Sequence, residues 1–224
     1  MRLSLYEIFL FFQWGCMVAS SLFSLTLIGN KRIPKYMGKF YWYSIIVASV
    51  SVYTFLYRYF NVTNKYVSGV LHSFLLLFHF IFLSLFIYSV LPNKNISRFI
   101  KFLFFLFLST LLLCLFTIDI TIPKSIGYAF SNFGLVLFCC VYYSQLFEEM
   151  PTIILIKEPS FWIISGVFLC MCTTIPLSAI RGYLFNNMPS ELYFLMGTLG
   201  SFAYGVMHLF FIKAYLCSIS QPKA

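Results

Sequence analysis

The chain has 224 residues, of which 61% are hydrophobic, 21% aromatic and 9% charged, against about 25% charged in an ordinary soluble domain. A water-soluble fold is excluded, because one core of this size cannot hide so much apolar surface and a soluble exterior needs charge to stay solvated. The 15 Lys and Arg against 6 Asp and Glu give a formal charge of +9; no basic run interleaved with exposed aromatics stands outside the apolar stretches, so the excess points to loops held on one membrane face and not to nucleic acid.

A bilayer-spanning helix takes about 20 predominantly apolar residues. Apolar runs bounded by charge, Pro and Asn predict seven spans, at about 5–28, 40–59, 67–91, 99–118, 125–147, 161–182 and 192–217. The first run follows Arg2 but is interrupted by Glu7, outlasts the apolar stretch of a signal peptide, and is followed by Lys31, Arg32, Lys35 and Lys39 in place of a small-residue cleavage site. It reads as a retained first helix. Long continuous runs, with no alternating strands and turn signals of a barrel, predict an all-α polytopic bundle, residues 1–224 being a single integral membrane domain.

Aromatic groups at several run ends, Tyr41-Trp42-Tyr43, Tyr57 and Tyr59, Tyr142-Tyr143 and Phe161-Trp162, read as interfacial anchors. Pro176 is expected to kink the sixth span. Asn61-Val62-Thr63 and Asn95-Ile96-Ser97 match the glycosylation pattern, which occurs readily by chance.

Orientation follows from the basic residues. Lys31, Arg32, Lys35, Lys39, Lys94, Arg98, Lys101, Lys157, Lys213 and Lys223 fall at one face, ten of the 15, whereas Arg2, Arg58, Lys65, Lys124 and Arg181 fall at the other. The richer face is the cytoplasmic one, which predicts N-out and C-in, with an odd number of spans placing the termini on opposite sides.

Ionisable side chains deep in a bundle are functional candidates by default. No Asp or Glu occupies the middle of a run, which disfavours a carboxylate relay. Histidines are the exceptions. His72 and His79 lie seven residues apart on one face of the third span, and His208 lies on the seventh. At helical rise, His79 sits roughly 18 Å and His208 roughly 22–24 Å from the outer ends. They form a candidate mid-membrane pair, able to act as a metal or haem ligand pair, a pH-responsive contact or plain interhelical hydrogen-bonding groups. No metal site is expected, since such sites need three or four ligands and no carboxylate lies near. A stripe of Gly197, Ser201 and Gly205 leads to His208 and favours close approach of another helix.

A looser outer polar layer comprises Gln13, His72, Ser131 and Asn132, with Glu7, Arg58, Asp119 and Arg181 at its rim. It reads as the lining of an outward-facing pocket or as isolated interhelical contacts. Seven cysteines, Cys16, Cys114, Cys139, Cys140, Cys170, Cys172 and Cys217, fall in or at the ends of apolar runs without zinc or redox spacing, and behave as small hydrophobes. A retinal Schiff-base site is rejected, because Lys213 lies near the cytoplasmic end of its span, where it can snorkel, and the third span has no acid. No hydrolase triad, metalloprotease motif, phosphate-binding loop or dinucleotide fingerprint is present, and no cofactor is implied.

The segment Phe147-Glu148-Glu149-Met150-Pro151 through Lys157-Glu158-Pro159-Ser160-Phe161-Trp162-Ile163 places Pro159 at the opening of the sixth helix. With Phe211-Ile212-Lys213-Ala214-Tyr215-Leu216-Cys217, it resembles a group of small uncharacterised seven-helix inner-membrane proteins of the Bacteroidota, in which a Glu-Pro-x-Phe-Trp-Ile stretch similarly introduces helix 6. The likeness covers helices 5 to 7 and implies a bacterial inner-membrane location, with no activity to carry over. Together these features favour a non-enzymatic sensory or accessory bundle embedded in the lipid bilayer. It would signal to a partner membrane or signalling protein through a cytoplasmic contact at Glu148, Glu149, Lys157 and Glu158. A small solute transporter or channel, and a lipid-active intramembrane enzyme using a histidine, are the competing readings. Inverted repeats or broken helices would mark the transporter.

Overall fold

The computed structural model of the chain describes residues 5–26, 28, 34, 36–59, 65–91, 96–116, 121–149, 155–184 and 190–220. They form α1 (Leu5–Leu25), α2 (Met37–Tyr59), α3 (Lys65–Val90), α4 (Ile96–Phe116), α5 (Thr121–Glu149), α6 (Pro159–Leu184) and α7 (Ser190–Ser220), with a 3₁₀ turn at Leu155–Lys157. The described residues are all-helical, and each helix coincides with an expected apolar run to within a few residues. Among the described residues, five stretches are long and apolar enough to cross a membrane: Leu5–Leu25, Ser73–Val90, Gly127–Glu148, Pro159–Ile180 and Phe194–Ser220. Asn61, Asn95, Asp119 and the basic Lys31, Arg32, Lys35 and Lys94 lie outside the described residues.

Each helix packs on its neighbours in a closed circuit. α1 meets α2 and α7, α7 meets α6, α6 meets α5, α5 meets α3, and α3 returns to α2; α4 lies against α3 and α5 from outside this ring of six. One end of the bundle gathers the N-termini of α2 and α6 with the C-termini of α3, α5 and α7. There Phe40 packs on Phe86 at 4.8 Å and on Tyr215 at 6.2 Å between ring centroids, and the Tyr142 and Ser160 hydroxyls are 3.1 Å apart. The other end brings together the N-termini of α1 and α7, with Tyr6 and Phe194 at 5.8 Å.

α4 illustrates the apolar exterior of the bundle. Its inward face is Ile100, Phe107 and Leu111, buried at the i, i+7, i+11 spacing of a helical stripe. Phe80 stacks on Phe104 at 5.9 Å. Its outward face carries Phe99, Phe102, Phe105 and Leu113, each more than half exposed. A continuous row of large apolar side chains on an outer surface is stable only against lipid or a partner.

Hydroxyls facing that surface turn back on their own helices. Ser21 donates to the Val18 carbonyl at 2.8 Å and Thr173 to that of Leu169 at 2.9 Å. α6 continues through Pro176, which lacks a backbone donor. Around it, Thr174 Oγ1 donates to the Cys170 carbonyl at 2.9 Å, and Ser178 Oγ donates to the carbonyls of Thr174 and Ile175. The carbonyl that Pro176 leaves without its backbone donor is that of Cys172, one turn back, and these bonds fall on either side of it.

The small-residue stripe on α7 is filled by α1. A Cβ added at Gly205 would lie 2.4 Å from the Phe12 ring and 3.4 Å from the Gln13 Cα, and one at Gly197 would lie 2.8 Å from the Tyr6 ring. Gly205→Leu is therefore expected to destabilise the bundle by about 1–3 kcal/mol through overpacking. Gly200→Ala, where an added Cβ meets nothing within 4 Å, serves as the comparison and is expected to leave stability unchanged or slightly raised. Reversible unfolding of both variants in mixed micelles measures the difference, and equal stabilities would show that the α1–α7 seam is not close-packed.

Candidate functional site

One connected group of interior polar side chains lies on four helices, α1, α2, α3 and α7. α2 supplies two consecutive residues, Tyr43 and Ser44, which diverge by a helical step and so meet different neighbours. The Tyr43 hydroxyl lies 2.5 Å from His79 Nδ1 on α3, and the Ser44 hydroxyl 2.5 Å from that of Tyr215 on α7. Ser20 on α1 lies 3.4 Å from His208 Nδ1 and also within hydrogen-bonding reach of Tyr215. Tyr43, Ser44, Ser20 and Tyr215 are fully buried.

Aromatic rings hold this network. Tyr43 stacks on Phe82 at 4.8 Å and Phe78 at 5.9 Å and touches Phe40 at 5.3 Å. Phe40 meets Phe211 edge-on at 4.9 Å. Together Met37, Phe40, Phe211 and Tyr215 close the α6 N-terminal half of the interior, with no exposed surface on any of them. On its other side, His79 faces Tyr204 at 6.2 Å.

The two histidines of the expected pair thus lie within electrostatic reach of each other, but each spends its Nδ1 on a hydroxyl from another helix. His79 Nε2 is buried without a hydrogen-bond partner among the described residues, as is the Ser84 hydroxyl. Among the described residues no group of three or more His, Cys, Asp or Glu side chains converges as a metal site would require. Imidazoles paired with hydroxyls can orient a polar group or pass a proton, and the hydrogen-bond partners of both histidines among the described residues are hydroxyls.

The expected outer layer is distributed around the ring. Asn132 on α5 donates its amide to Thr174 Oγ1 on α6 at 3.0 Å. Ser131 bonds its own helix at the Tyr128 carbonyl, also at 3.0 Å. Gln13 belongs to the α1–α7 seam, its Cα beside Gly205. His72 lies on α3, with its side chain outside the described residues, as are those of the rim residues Arg58 and Arg181. Asn132–Thr174 is the first of three bonds along the α5–α6 seam, followed by Tyr143–Ser165 at 2.8 Å and Tyr142–Ser160 at 3.1 Å. Asn132 on α5 meets Thr174 on α6, whereas Tyr142 and Tyr143, further along α5, meet Ser160 and Ser165 nearer the start of α6, the overall sense of an antiparallel pair.

At the α6 N-terminal end, the 3₁₀ turn is tied to two helices. The Ile156 carbonyl accepts from Trp162 Nε1 at 2.8 Å and from the Cys217 thiol at 3.6 Å. The Lys213 ammonium lies 5.7 Å from the Trp162 ring centroid. Glu148, Lys157, Phe147 and Ile156 are exposed and Glu158 is half-buried; the Glu149 side chain is outside the described residues. Burial, followed by the Glu158 carboxylate, pushes the Tyr36 phenol up to about 12, against an opposing hydrogen bond with Ser160.

Tyr43 and Tyr142 correct the reading of the tyrosine groups as interfacial anchors. Trp42 is 54% exposed, yet Tyr43 beside it is wholly buried and Tyr142 is nearly so. The signal was helical phase: Phe40, Tyr43 and Val47 share one buried face at spacings of three and four. Ser20 and Ser44 carried no comparable signal. No protein-family model, curated protein or solved structure matches the chain.

A double-mutant cycle on Ser44→Ala and Tyr215→Phe is expected to give a coupling of about 0.6–2 kcal/mol, the range for interhelical hydrogen bonds in membranes. Unfolding free energies in mixed micelles supply the four corners. Strict additivity would show that this bond contributes nothing to holding α2 on α7.

Proposed function

We propose that the chain is a seven-span protein of the bacterial inner membrane, N-terminus outside and C-terminus cytoplasmic, acting as a sensory or accessory bundle that signals through a partner protein. The observation that carries this reading is the neutral connection from His79 through Tyr43 and Ser44 to Tyr215, Ser20 and His208. It joins α1, α2, α3 and α7 with no carboxylate among its members. A network of modest neutral bonds permits two arrangements a few kcal/mol apart, and a ligand needs only that much differential affinity to shift the balance between them.

Seven helices, five of them apolar and long enough to span, support the span number. The ten basic residues of one face support the orientation. The likeness of helices 5 to 7 to the Bacteroidota inner-membrane group supports the location. Output would pass through the segment from Glu148 to Ser160, where exposed Phe147 and Ile156 stand beside exposed Glu148 and Lys157. Apolar groups rimmed by charge are the composition of a protein contact.

A photocrosslinking residue at Ile156 in native membranes is expected to give one discrete protein adduct whose yield changes at least twofold with Tyr43→Phe, while the same probe at Leu113 on the outward face of α4 gives lipid adducts. An Ile156 adduct insensitive to Tyr43→Phe, or no protein adduct, would overturn the signalling reading. Orientation is checked separately with a reporter fused after Ala224, expected to be active only in a cytoplasmic form; activity of an extracytoplasmic reporter there would reverse the topology.

A further inference from the structure

The imidazole of His79 is half occupied. Tyr43 has no exposed surface, and its one hydrogen-bond partner is His79 Nδ1 at 2.5 Å. A buried phenol must place its proton on an acceptor, and Nδ1 is the acceptor at hand. Tyr43 therefore donates and Nδ1 accepts. In a neutral imidazole the proton then sits on the other nitrogen, so His79 presents an Nε2–H donor. That atom is buried and has no partner, in surroundings where lipid offers none.

The two aromatic neighbours of this histidine differ in burial. Tyr43 packs on Phe40 and Phe211 and has no exposed surface. His79 and Tyr204 both retain part of their surface, with their rings 6.2 Å apart and inclined at 68°. Tyr204 in turn lies within electrostatic reach of Tyr128 on α5 and Cys170 on α6, and its own hydroxyl has no hydrogen-bond partner among the described residues. His79 and Tyr204 thus stand together, with Tyr128 and Cys170 within reach of Tyr204, one idle N–H donor on His79 and no charged side chain among these four.

We propose that His79 and Tyr204 form a binding site for a neutral, largely apolar molecule carrying one carbonyl-type acceptor, which receives the Nε2–H hydrogen bond once the Tyr204 ring swings aside. An anion is disfavoured because nothing there offsets its desolvation. A pure hydrocarbon leaves the donor idle. The proposal deepens the sensory reading and rests on it, naming the chemical class of the signal and the residue that detects it. Its occupation would act on the Tyr43 bond through the same imidazole, where the connection to Ser44 and Tyr215 begins.

The full chain, labelled with ¹⁵N-histidine and reconstituted in lipid nanodiscs, tests this with three probes of matched size: an alkyl aryl ketone, an alkylbenzene and an alkylbenzoate. His79 is expected in the Nε2–H form with Nδ1 as acceptor. The ketone is expected to shift the Nε2–H resonance and to bind at least about fivefold more tightly than the alkylbenzene, the ratio one net hydrogen bond supplies. The benzoate is expected to bind no better than the alkylbenzene, and His79→Phe to bring the ketone down to the alkylbenzene level. An Nδ1–H form, no binding of the ketone, equal binding of ketone and alkylbenzene, or ketone binding that leaves the His79 resonance unmoved would each overturn the site. The spectral test uses the unsubstituted chain, so a misfolded His79→Phe does not decide it. A ketone site without a Tyr43-sensitive adduct at Ile156 would overturn the signalling reading alone; the adduct without ketone discrimination would overturn the site alone.

Discussion

In the hydrocarbon of a membrane a polar side chain finds no water, so its partner must be another part of the protein. Two solutions recur in this bundle. Hydroxyls such as Ser21, Ser89, Thr173 and Thr198 donate to a carbonyl one turn back; this satisfies the donor and contributes nothing to assembly. Others bond across helices: Tyr43 to His79, Ser44 to Tyr215, Asn132 to Thr174, Tyr143 to Ser165. Within lipid, apolar contact between helices gains little over contact with acyl chains, so bonds of this second kind and close packing of shapes decide which helix faces which.

That division explains what was legible in advance. Hydropathy locates helices because it depends only on the run, and the run expected at 161–182 is α6 at Pro159–Leu184. Partnership between helices depends on shape. The stripe of Gly197 and Gly205 announced a close neighbour on α7, but nothing in its composition named α1, whose Tyr6 and Phe12 fill it. The closed circuit of six helices, with α4 outside, was invisible for the same reason: a helix apolar on every face reveals no inward side.

The candidate site was legible by scarcity. His79 and His208 stood out because ionisable groups are costly in a bilayer, and both lie in the interior network. Their partners were not legible, since Tyr43 is 36 positions from His79 and Ser20 is 188 from His208. Tyrosine also misleads by its two habits. A rule that places Tyr and Trp at the interface suits Trp42 and fails for Tyr43, one position on, because a helical step of about 100° separates lipid from core.

The pairing of Tyr43 with Ser44 gives α2 a particular role. One residue ties it to α3, the next to α7, and the Tyr43 ring lies flat on Phe82 while its edge meets Phe211 at 6.2 Å. A displacement of α2 against α3 that lengthens the histidine bond must also disturb the bond to Tyr215, because the two anchors share one rigid turn of helix. The sizes matter here. Each neutral bond contributes about 1 kcal/mol, so exchanging one is within the reach of a weakly bound ligand, whereas removing one partner of a buried ion pair at the same place would cost about 3–5 kcal/mol and hold the helices in a single state. On the proposed sensory reading, the scarcity of charge would therefore also keep the interior movable, with α2 as the element through which a change at His79 would reach the far side of the ring.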